Sequence, residues 1–136
     1  MIEIVTALIR DKCGHVLLVR KRGTESYMQP GGKREAGEDD LDSLARELHE
    51  ELGCTLMQES ARRLGVFEAP AANEPGQWVR ATIYAAEVSG PIIPQAEIEE
   101  LAWIDPQDPG ERGLAPLTRD IVLSLALSLN DRAQAL

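Results

Sequence analysis

Three glutamates between residues 47 and 51 are the residues whose types and spacing most directly indicate chemistry. Glu47 and Glu51 are four residues apart, and Glu50 follows Glu47 by three. On a helix these spacings put all three carboxylates on one polar stripe, although like charges so close cost roughly 0.2–0.5 kcal/mol per pair. Carboxylate oxygens are the ligands that Mg²⁺ and Mn²⁺ prefer. The stripe therefore indicates either a divalent metal site or a solvated acidic face.

A glycine pair precedes this stripe and favours the metal interpretation. Pro30, Gly31 and Gly32 predict irregular backbone without regular strand pairing. A glycine-rich loop that leads into a helix can present backbone groups to a phosphate or a metal. Lys33 follows directly and can add a positive charge for a phosphate.

A helix over residues 39–52 must carry the glutamates. Its leucines recur at helical spacing and form one apolar stripe, namely Leu41, Leu44, Leu48 and Leu52. Acidic residues crowd its first turn, as the helix dipole favours. Gly53 is suited to end the helix.

The rest of the chain predicts strands around this helix and a second helix near the end. Residues 2–10 and 15–21 are rich in apolar residues and flank a turn, so they predict an opening hairpin. Further strands are predicted over residues 54–58, 62–69, 78–88 and 101–104. Pro116 opens a final helix to about Asn130 that is apolar on almost every side, so either its own domain or a second subunit of a homodimer covers it. This order predicts an α/β layered domain with a mixed sheet and helices packed on it.

Length and charge narrow the function further. The chain has 136 residues, which predicts one domain over residues 1–136. Asp and Glu total 23 against 14 Lys and Arg, and the net charge of −9 argues against a nucleic-acid partner. Cys13 and Cys54 are isolated, which favours a reducing compartment but leaves one disulfide open. No secretory signal heads the chain and no apolar stretch reaches bilayer length, so we expect a cytoplasmic protein with no membrane partner.

The residues from Gly32 to Cys54 resemble the Nudix box. The family pattern is G-x5-E-x7-R-E-U-x-E-E-x-G-U, in which U is a bulky aliphatic residue. Gly32, Glu38 and the run RELHEELGC at residues 46–54 match it, with Cys54 at the final aliphatic position as the one departure. A buried Cys behaves as a small hydrophobe, so this departure is minor.

The resemblance implies a fold, a reaction and a cofactor. The fold is a Nudix-type α/β/α sandwich with a mixed β-sheet between helices. The reaction is hydrolysis of a diphosphate linkage in a nucleoside diphosphate joined to a group X, and it requires Mg²⁺ or Mn²⁺. Metal ions that bridge phosphate oxygens neutralise charge, which is the main requirement of phosphoryl transfer.

The resemblance also assigns roles to individual residues. The metal ligands would be Glu47, Glu50 and Glu51, together with the Gly31 carbonyl. Arg46 would orient the carboxylates. The supporting positions of the motif are Gly32, Gly37, Glu38 and Gly53.

A general base is expected outside the box, because many Nudix members take it from a separate loop. Glu97, six residues before Trp103, resembles that position. Glu99 and Glu100 are nearby rivals, and Glu47 or Glu50 would serve if the base lies within the box.

Few residues are available to hold a substrate. Lys33 is a candidate for a phosphate, while Tyr27, Phe67 and Trp78 could stack on a base. Packing in the core or on a strand is the alternative for the aromatic residues.

The resemblance favours a small-molecule nucleotide as substrate. Small members often act on (deoxy)nucleoside triphosphates, including oxidised ones, and release a monophosphate and pyrophosphate. A nucleoside diphosphate sugar such as ADP-ribose is the alternative, because Pro70, 16 residues after Cys54, resembles a proline of such enzymes. A catalytically inactive Nudix domain that senses a ligand and a plain acidic interaction domain are the remaining hypotheses, and the intact box argues against both.

Overall fold

The computed structural model describes residues 1–134, so the last two residues of the predicted domain lie outside the described residues. Seven strands and two helical segments follow one another within this range. The strands are β1 (Ile2–Leu8), β2 (Val16–Lys21), β3 (Tyr27–Met28), β4 (Gly31–Gly32), β5 (Thr55–Pro70), β6 (Trp78–Ser89) and β7 (Ile98–Ile104). The helices are α1 (Asp40–Leu52) and α2 (Leu123–Gln134), the latter preceded by a π-helical turn over Thr118–Val122.

The described strands form two sheets. One has the order β4-β1-β6-β5 and the other β3-β2-β7. In the first sheet β1 runs parallel to β6, while β4 and β5 are antiparallel to their neighbours. The predicted α/β class with a mixed sheet is therefore confirmed.

The predicted opening hairpin is wrong beyond its turn. The turn itself forms, since the Asp11 N–H donates to the His15 carbonyl at 3.0 Å. Pairing of the two strands ends at a bridge between Arg10 and Val16, after which β1 and β2 enter different sheets. The second half of β1 and the first four residues of β2 are buried. Each strand lies between two neighbours in its own sheet, which is where strands covered on both faces lie.

Three other strand predictions also need correction. Gly31 and Gly32, expected to be unpaired, are antiparallel to Thr6 and Val5 of β1. The two expected strands at 54–58 and 62–69 are a single strand, β5, with register shifts between residues 57 and 65 that bulge it. The expected strand at 101–104 is the second half of β7, which begins at Ile98 because it pairs with the full length of β2.

Helix α1 forms where it is predicted. The Asp39 side chain caps its start by accepting from the Asp42 N–H, and Gly53 ends it at φ 70°. Leu44, Leu48 and Leu52 are fully buried in a cluster with one face of β1 and β2.

The final helix packs on the opposite side. Val122 and Ala126 are fully buried in a second cluster with residues such as Leu8 and Leu18 on the other face of β1 and β2. The half-buried Ile121, Leu125 and Leu129 pack against the same cluster. The chain itself thus covers much of this helix, which was expected to be either buried or covered by a partner, and the homodimer stays a prediction.

Two further features bear on the sequence interpretation. Cys13 and Cys54 are both free thiols, the first exposed and the second buried. None of the helices within residues 1–134 is long and apolar enough to cross a membrane.

Candidate active site

A cleft of about 300 Å³ brings together several of the predicted site residues, namely Gly31, Gly32, Lys33, Glu47, Glu51 and Glu97. It opens where β4, the end of β2, helix α1 and the turn before β7 meet. Its charged lining consists of Glu47, Glu51, Glu74, Glu97, Lys21 and Lys33. A larger cavity of about 580 Å³ lies between the turn after β1 and the end of α2, and none of the predicted site residues lines it.

Helix α1 presents Glu47 and Glu51 to the cleft from adjacent turns of one face. Glu51 is only 2% exposed, and its Oε1 accepts a hydrogen bond from the Gly31 N–H at 3.2 Å. The Glu47 side chain is also largely buried and lies beside Arg46, whose Nη1 is 3.0 Å from Oε1. Both carboxylates therefore lie against the glycine pair of β4.

The two glycines leave no room for a side chain. A Cβ on Gly31 would lie 2.2 Å from the Val5 carbonyl oxygen, and this residue has φ 147°. A Cβ on Gly32 would lie 2.6 Å from the Glu47 carboxylate. Gly31 therefore lets β4 approach β1, and Gly32 leaves space for a carboxylate of the cleft.

Arg46 joins the box into one ion-pair network. Its guanidinium donates to both oxygens of Glu38, at 2.7 and 2.9 Å, and to the Lys33 carbonyl at 3.0 Å. It also contacts Glu47 and, at 3.5 Å, Glu50. Arg46 thus ties the loop before α1 to the carboxylates on it. Gly37, within that loop, has φ 83°.

The pKa values of the two cleft glutamates are raised, whereas the pKa of Glu38 is lowered. Burial raises the pKa of Glu51 to about 8, with the Gly31 N–H opposing the rise and the charges of Glu47 and Glu97 adding to it. Burial also raises the pKa of Glu47, against the effect of Arg46. The hydrogen bonds from Arg46 and from the Glu35 N–H lower the pKa of Glu38 to about 2. The protein groups around these two acids therefore do not stabilise their charged forms, whereas a bound cation would.

Glu50 stands apart from the other two glutamates of the stripe. Its side chain is 52% exposed and meets Arg46 on the outer side of α1. The cleft lining includes Glu47 and Glu51 but not Glu50.

Glu97 lies in the cleft, and its two rivals are held elsewhere. Its charge raises the pKa of both Glu47 and Glu51, which places it close to them. Glu99 contacts Arg22 at 3.4 Å. Glu100 pairs with Arg20 and accepts from the Tyr27 hydroxyl at 3.0 Å.

Backbone hydrogen bonds attach the Glu97 turn to helix α1. The Gln95 N–H donates to the Glu51 carbonyl at 2.8 Å, and the Glu97 carbonyl accepts from the Arg22 N–H at 2.7 Å. Between them Ala96 has φ 53°, a left-handed conformation that non-glycine residues seldom adopt. These contacts fix the turn that brings Glu97 to the carboxylates.

The structure brings only one of the four candidate substrate-binding residues to the cleft. Lys33 lines it. Tyr27 lies outside, with Arg112 5.6 Å from its ring centroid, and Phe67 packs against the second cluster beside Gly65. Trp78 is 49% exposed and is absent from the lining.

Among the lining residues that sequence reasoning missed are Lys21 and Gln29. Lys21 ends β2, and its charge lowers the pKa of Glu51. Gln29 is 4% exposed and precedes the Pro-Gly-Gly run. Neither residue belongs to a motif or to a recurring spacing in the sequence, so neither could have been singled out.

The cleft fits a divalent cation that keeps part of its water shell. Within residues 1–134, no three Asp, Glu, His or Cys side chains converge closely enough to form a complete metal cage. Mg²⁺ is usually held by one or two carboxylates together with waters and substrate phosphates. The adjacent carboxylates of Glu47 and Glu51 supply that donor set, and a bound cation would stabilise their ionised forms.

Comparison with known proteins identifies the family. A family model described as the NUDIX domain matches residues 2–125. The chain belongs to the Nudix family. It is therefore a Nudix pyrophosphohydrolase, as the box predicts, and Nudix hydrolases generally use divalent cations and act on small nucleotides.

Individual relatives agree with this assignment. The chain is 28% identical over 116 residues to the Nudix hydrolase YvcI of Bacillus subtilis, covering 85% of this chain and 73% of that one. It is 31% identical over 74 residues to an 8-oxo-dGTP diphosphatase of Haemophilus influenzae, covering 52% and 54% of the two chains. The crystal structure of a MutT Nudix hydrolase from Burkholderia pseudomallei matches with a TM-score of 0.75 at 30% identity, covering 90% of this chain and 95% of that one.

Proposed function

We propose that this Nudix enzyme hydrolyses a (deoxy)nucleoside triphosphate, in normal or oxidised form, to a monophosphate and pyrophosphate. The observation that carries the proposal is the composition of the cleft. One part holds two lysines and three glutamates close together, and another part is an apolar wall. A nucleoside triphosphate has the matching division into an anionic tail and a flat, largely apolar base.

The apolar wall is built mainly from the face of the mixed sheet that carries α2. Ile2 and Ile4 are two positions apart on β1, so their side chains point to the same side. Val79 of β6 lies directly beside Ile2, and Leu117 covers this face from the start of the helical segment. A base placed here would be removed from water without losing hydrogen bonds at its faces.

The charged part suits the polyphosphate. Lys21 and Lys33 would contact phosphate oxygens that remain after a cation has bound. Glu47 and Glu51 would hold Mg²⁺ or Mn²⁺, with the Gly31 carbonyl as a further ligand. When bound, the cation supplies charge neutralisation at the phosphates and acidifies water. Arg46 holds the Glu47 carboxylate in place through its 3.0 Å contact.

Glu97 is the general base of this proposal. It lies in the cleft, whereas the side chains of Glu99 and Glu100 are engaged by arginines. A carboxylate there can accept a proton from the attacking water. The exposed Glu50 on the outer side of α1 assists through Arg46, with which it is in contact.

The relatives support a triphosphate substrate. The Haemophilus influenzae relative bears the name of an 8-oxo-dGTP diphosphatase. The Burkholderia pseudomallei structure is described as a MutT protein. The first name states a deoxynucleoside triphosphate substrate for that relative, and the second describes a Nudix hydrolase whose fold matches this chain.

A nucleoside diphosphate sugar is the second candidate, and one observation favours it. Pro70, Ala72, Asn73 and Glu74 of the β5–β6 connection also line the cleft. A sugar extending from the diphosphate could meet these residues. An inactive ligand-sensing domain is the third hypothesis, and turnover of any substrate would exclude it.

A hydrolysis panel with product identification tests the proposal. The protein is incubated with Mg²⁺ or Mn²⁺ and with the nucleoside triphosphates, their 8-oxo and hydroxylated forms, and ADP-ribose. We expect pyrophosphate and a monophosphate from at least one triphosphate, and little turnover of ADP-ribose. Faster turnover of ADP-ribose than of every triphosphate would replace the proposal with the second candidate.

A further inference from the structure

Gln29 is a buried amide in the apolar part of the cleft, and it has no part in the chemistry described above. It is 4% exposed and lines the cleft together with Thr6, Met28, Ala115 and Leu117. Its position directly before Pro30 places it between the apolar wall and the glycine pair. A buried polar side chain in such surroundings requires hydrogen-bond partners.

The Gln29 amide lies between two buried threonine hydroxyls. The hydroxyl of Thr118, which is fully buried, donates to Gln29 Oε1 at 2.7 Å. Gln29 Nε2 donates to Thr6 Oγ1 at the longer distance of 3.3 Å. The carbonyl end is thus held by a short bond, whereas the nitrogen end carries two N–H groups for one long bond.

The second N–H of this amide is available to a ligand. Among the described residues, Thr6 is the only one that accepts a hydrogen bond from Nε2. The side chains of Ala115 and Leu117 offer no acceptor, and Met28 offers only a weak one in its thioether sulfur. A donor left unpaired when a ligand removes water from the cleft is costly, so a ligand atom that accepts is favoured.

We propose that Gln29 is a specificity-determining residue that selects purine bases with an oxygen at position 6 over bases with an amino group there. This inference rests on the proposed function, because it requires the base to lie on the apolar wall. A 6-oxo group accepts the free N–H, whereas a 6-amino group presents a donor to a donor. A site that hydrogen-bonds its substrate discriminates against analogues that leave its buried groups unpaired.

Three triphosphates of one sugar series isolate this contact. Guanosine and inosine triphosphates share the 6-oxo group, and adenosine triphosphate carries the 6-amino group. Inosine lacks the 2-amino group of guanosine, so agreement between these two assigns the selectivity to the O6 and N1–H edge that both share and not to the 2-amino group. We expect kcat/KM for both 6-oxo nucleotides to exceed that for the adenine nucleotide by about 10–100-fold.

Gln29→Met is the test variant, because methionine keeps the length of the side chain and removes the amide. We expect the 6-oxo to 6-amino ratio to fall to within about threefold of unity, mainly through a higher KM for the 6-oxo nucleotides. Gln107→Met, at an exposed position outside this cleft, is the matched control and should keep the wild-type ratio. Thr118→Val, which removes the hydroxyl that orients the amide, should lower the ratio without contacting the base.

Equilibrium binding of the three monophosphates measures the same preference without turnover. Failure to hydrolyse any triphosphate would overturn the proposed function, whereas the binding ratios would still decide the role of Gln29. A wild-type preference for the adenine nucleotide, or an unchanged ratio in Gln29→Met, would overturn the inference. Thermal melting of each variant shows whether it is folded, and Thr118→Val provides the test if Gln29→Met is not.

Discussion

Glu51 is a residue of the site whose burial as a charged group is unfavourable for folding. Its carboxylate is almost completely removed from solvent, beside Glu47 and within the influence of Glu97. The Gly31 N–H and the charge of Lys21 only partly offset that environment. Such a group is stable either as the neutral acid or with a bound cation, and the proposed activity uses the second state.

The raised pKa of Glu51 predicts a pH-dependent stability of the metal-free protein. The pKa is about 8 in the folded state, against an ordinary value of 4.5. Between these values the folded state binds a proton that the unfolded state does not, so the free energy of unfolding falls as pH rises through this window. The slope is at most about 1.4 kcal/mol per pH unit for one proton. The lowered pKa of Glu38 acts below pH 4.5 and leaves this window unaffected.

Thermal unfolding in chelator from pH 5 to pH 8 tests this. Because the glutamine side chain does not titrate, the Tm of Glu51→Gln should rise relative to wild type as pH increases. Glu59→Gln, an exposed change on β5, should run parallel to wild type. Parallel curves for Glu51→Gln and wild type would show that Glu51 has no such shift.

Glu97 predicts a second effect at the scale of one residue. Glu97→Gln should lower kcat by about 10²–10⁴-fold at saturating metal, with partial recovery at high pH where hydroxide replaces the base. Glu99→Gln and Glu100→Gln are matched controls, because their carboxylates are paired with Arg22 and Arg20. Steady-state kinetics that show the large loss in either control instead would reassign the base.

At the scale of elements, the site depends on the approach of β4 to both β1 and α1. β4 consists of two glycines, which pair with β1 on one side and face Glu47 on the other. Helix α1 provides the carboxylates, and its capped ends fix where those side chains lie. The turn at Ala96 then adds Glu97 through backbone contacts to the end of the same helix.

Gly32→Ala separates the stability of this contact from its function. The new methyl would lie 2.6 Å from the Glu47 carboxylate, which can move because it is the end of a flexible side chain. We expect the free energy of unfolding to change by less than about 1 kcal/mol, because the φ angle of Gly32 is one that alanine also adopts. We expect activity to fall tenfold or more, because the displaced Glu47 carboxylate no longer lies where the cleft requires it. Gly113→Ala, whose Cβ would be 3.4 Å from a backbone oxygen, is the control for activity and Mn²⁺ binding. Unchanged Mn²⁺ affinity and activity in Gly32→Ala would contradict this role.

The sequence predicted elements well where local signals and burial agree. Helix α1 has a cap, a leucine stripe and a terminal glycine, and it forms as predicted. The pairing of β1 with β6 could not be predicted, because the two strands are far apart in the sequence and no local pattern names the partner of a strand. Glu47 and Glu51 were found from helical spacing, whereas Lys21 and Gln29 reach the cleft only through tertiary contacts. Tyr27 and Phe67 were assigned from residue type alone, which does not distinguish a stacking platform from packing.

At the scale of the whole molecule, charge makes a cation necessary for the proposed reaction. The chain carries a net charge of −9, and a triphosphate adds further negative charge to a cleft already lined by carboxylates. Two lysines in the cleft do not balance three neighbouring glutamates. A divalent cation between substrate and protein converts this repulsion into attraction, so the acidity of the molecule and its proposed substrate are compatible.

The most direct test is pyrophosphate release from the best triphosphate by wild type, Glu51→Gln and Glu59→Gln, with Mg²⁺ and after exhaustive chelation. Wild type and Glu59→Gln should turn over only with Mg²⁺. Glu51→Gln should be slower by about 10²–10³-fold or more although it remains folded. Full wild-type activity after chelation, or wild-type turnover by Glu51→Gln, would contradict a metal-dependent hydrolase centred on this carboxylate.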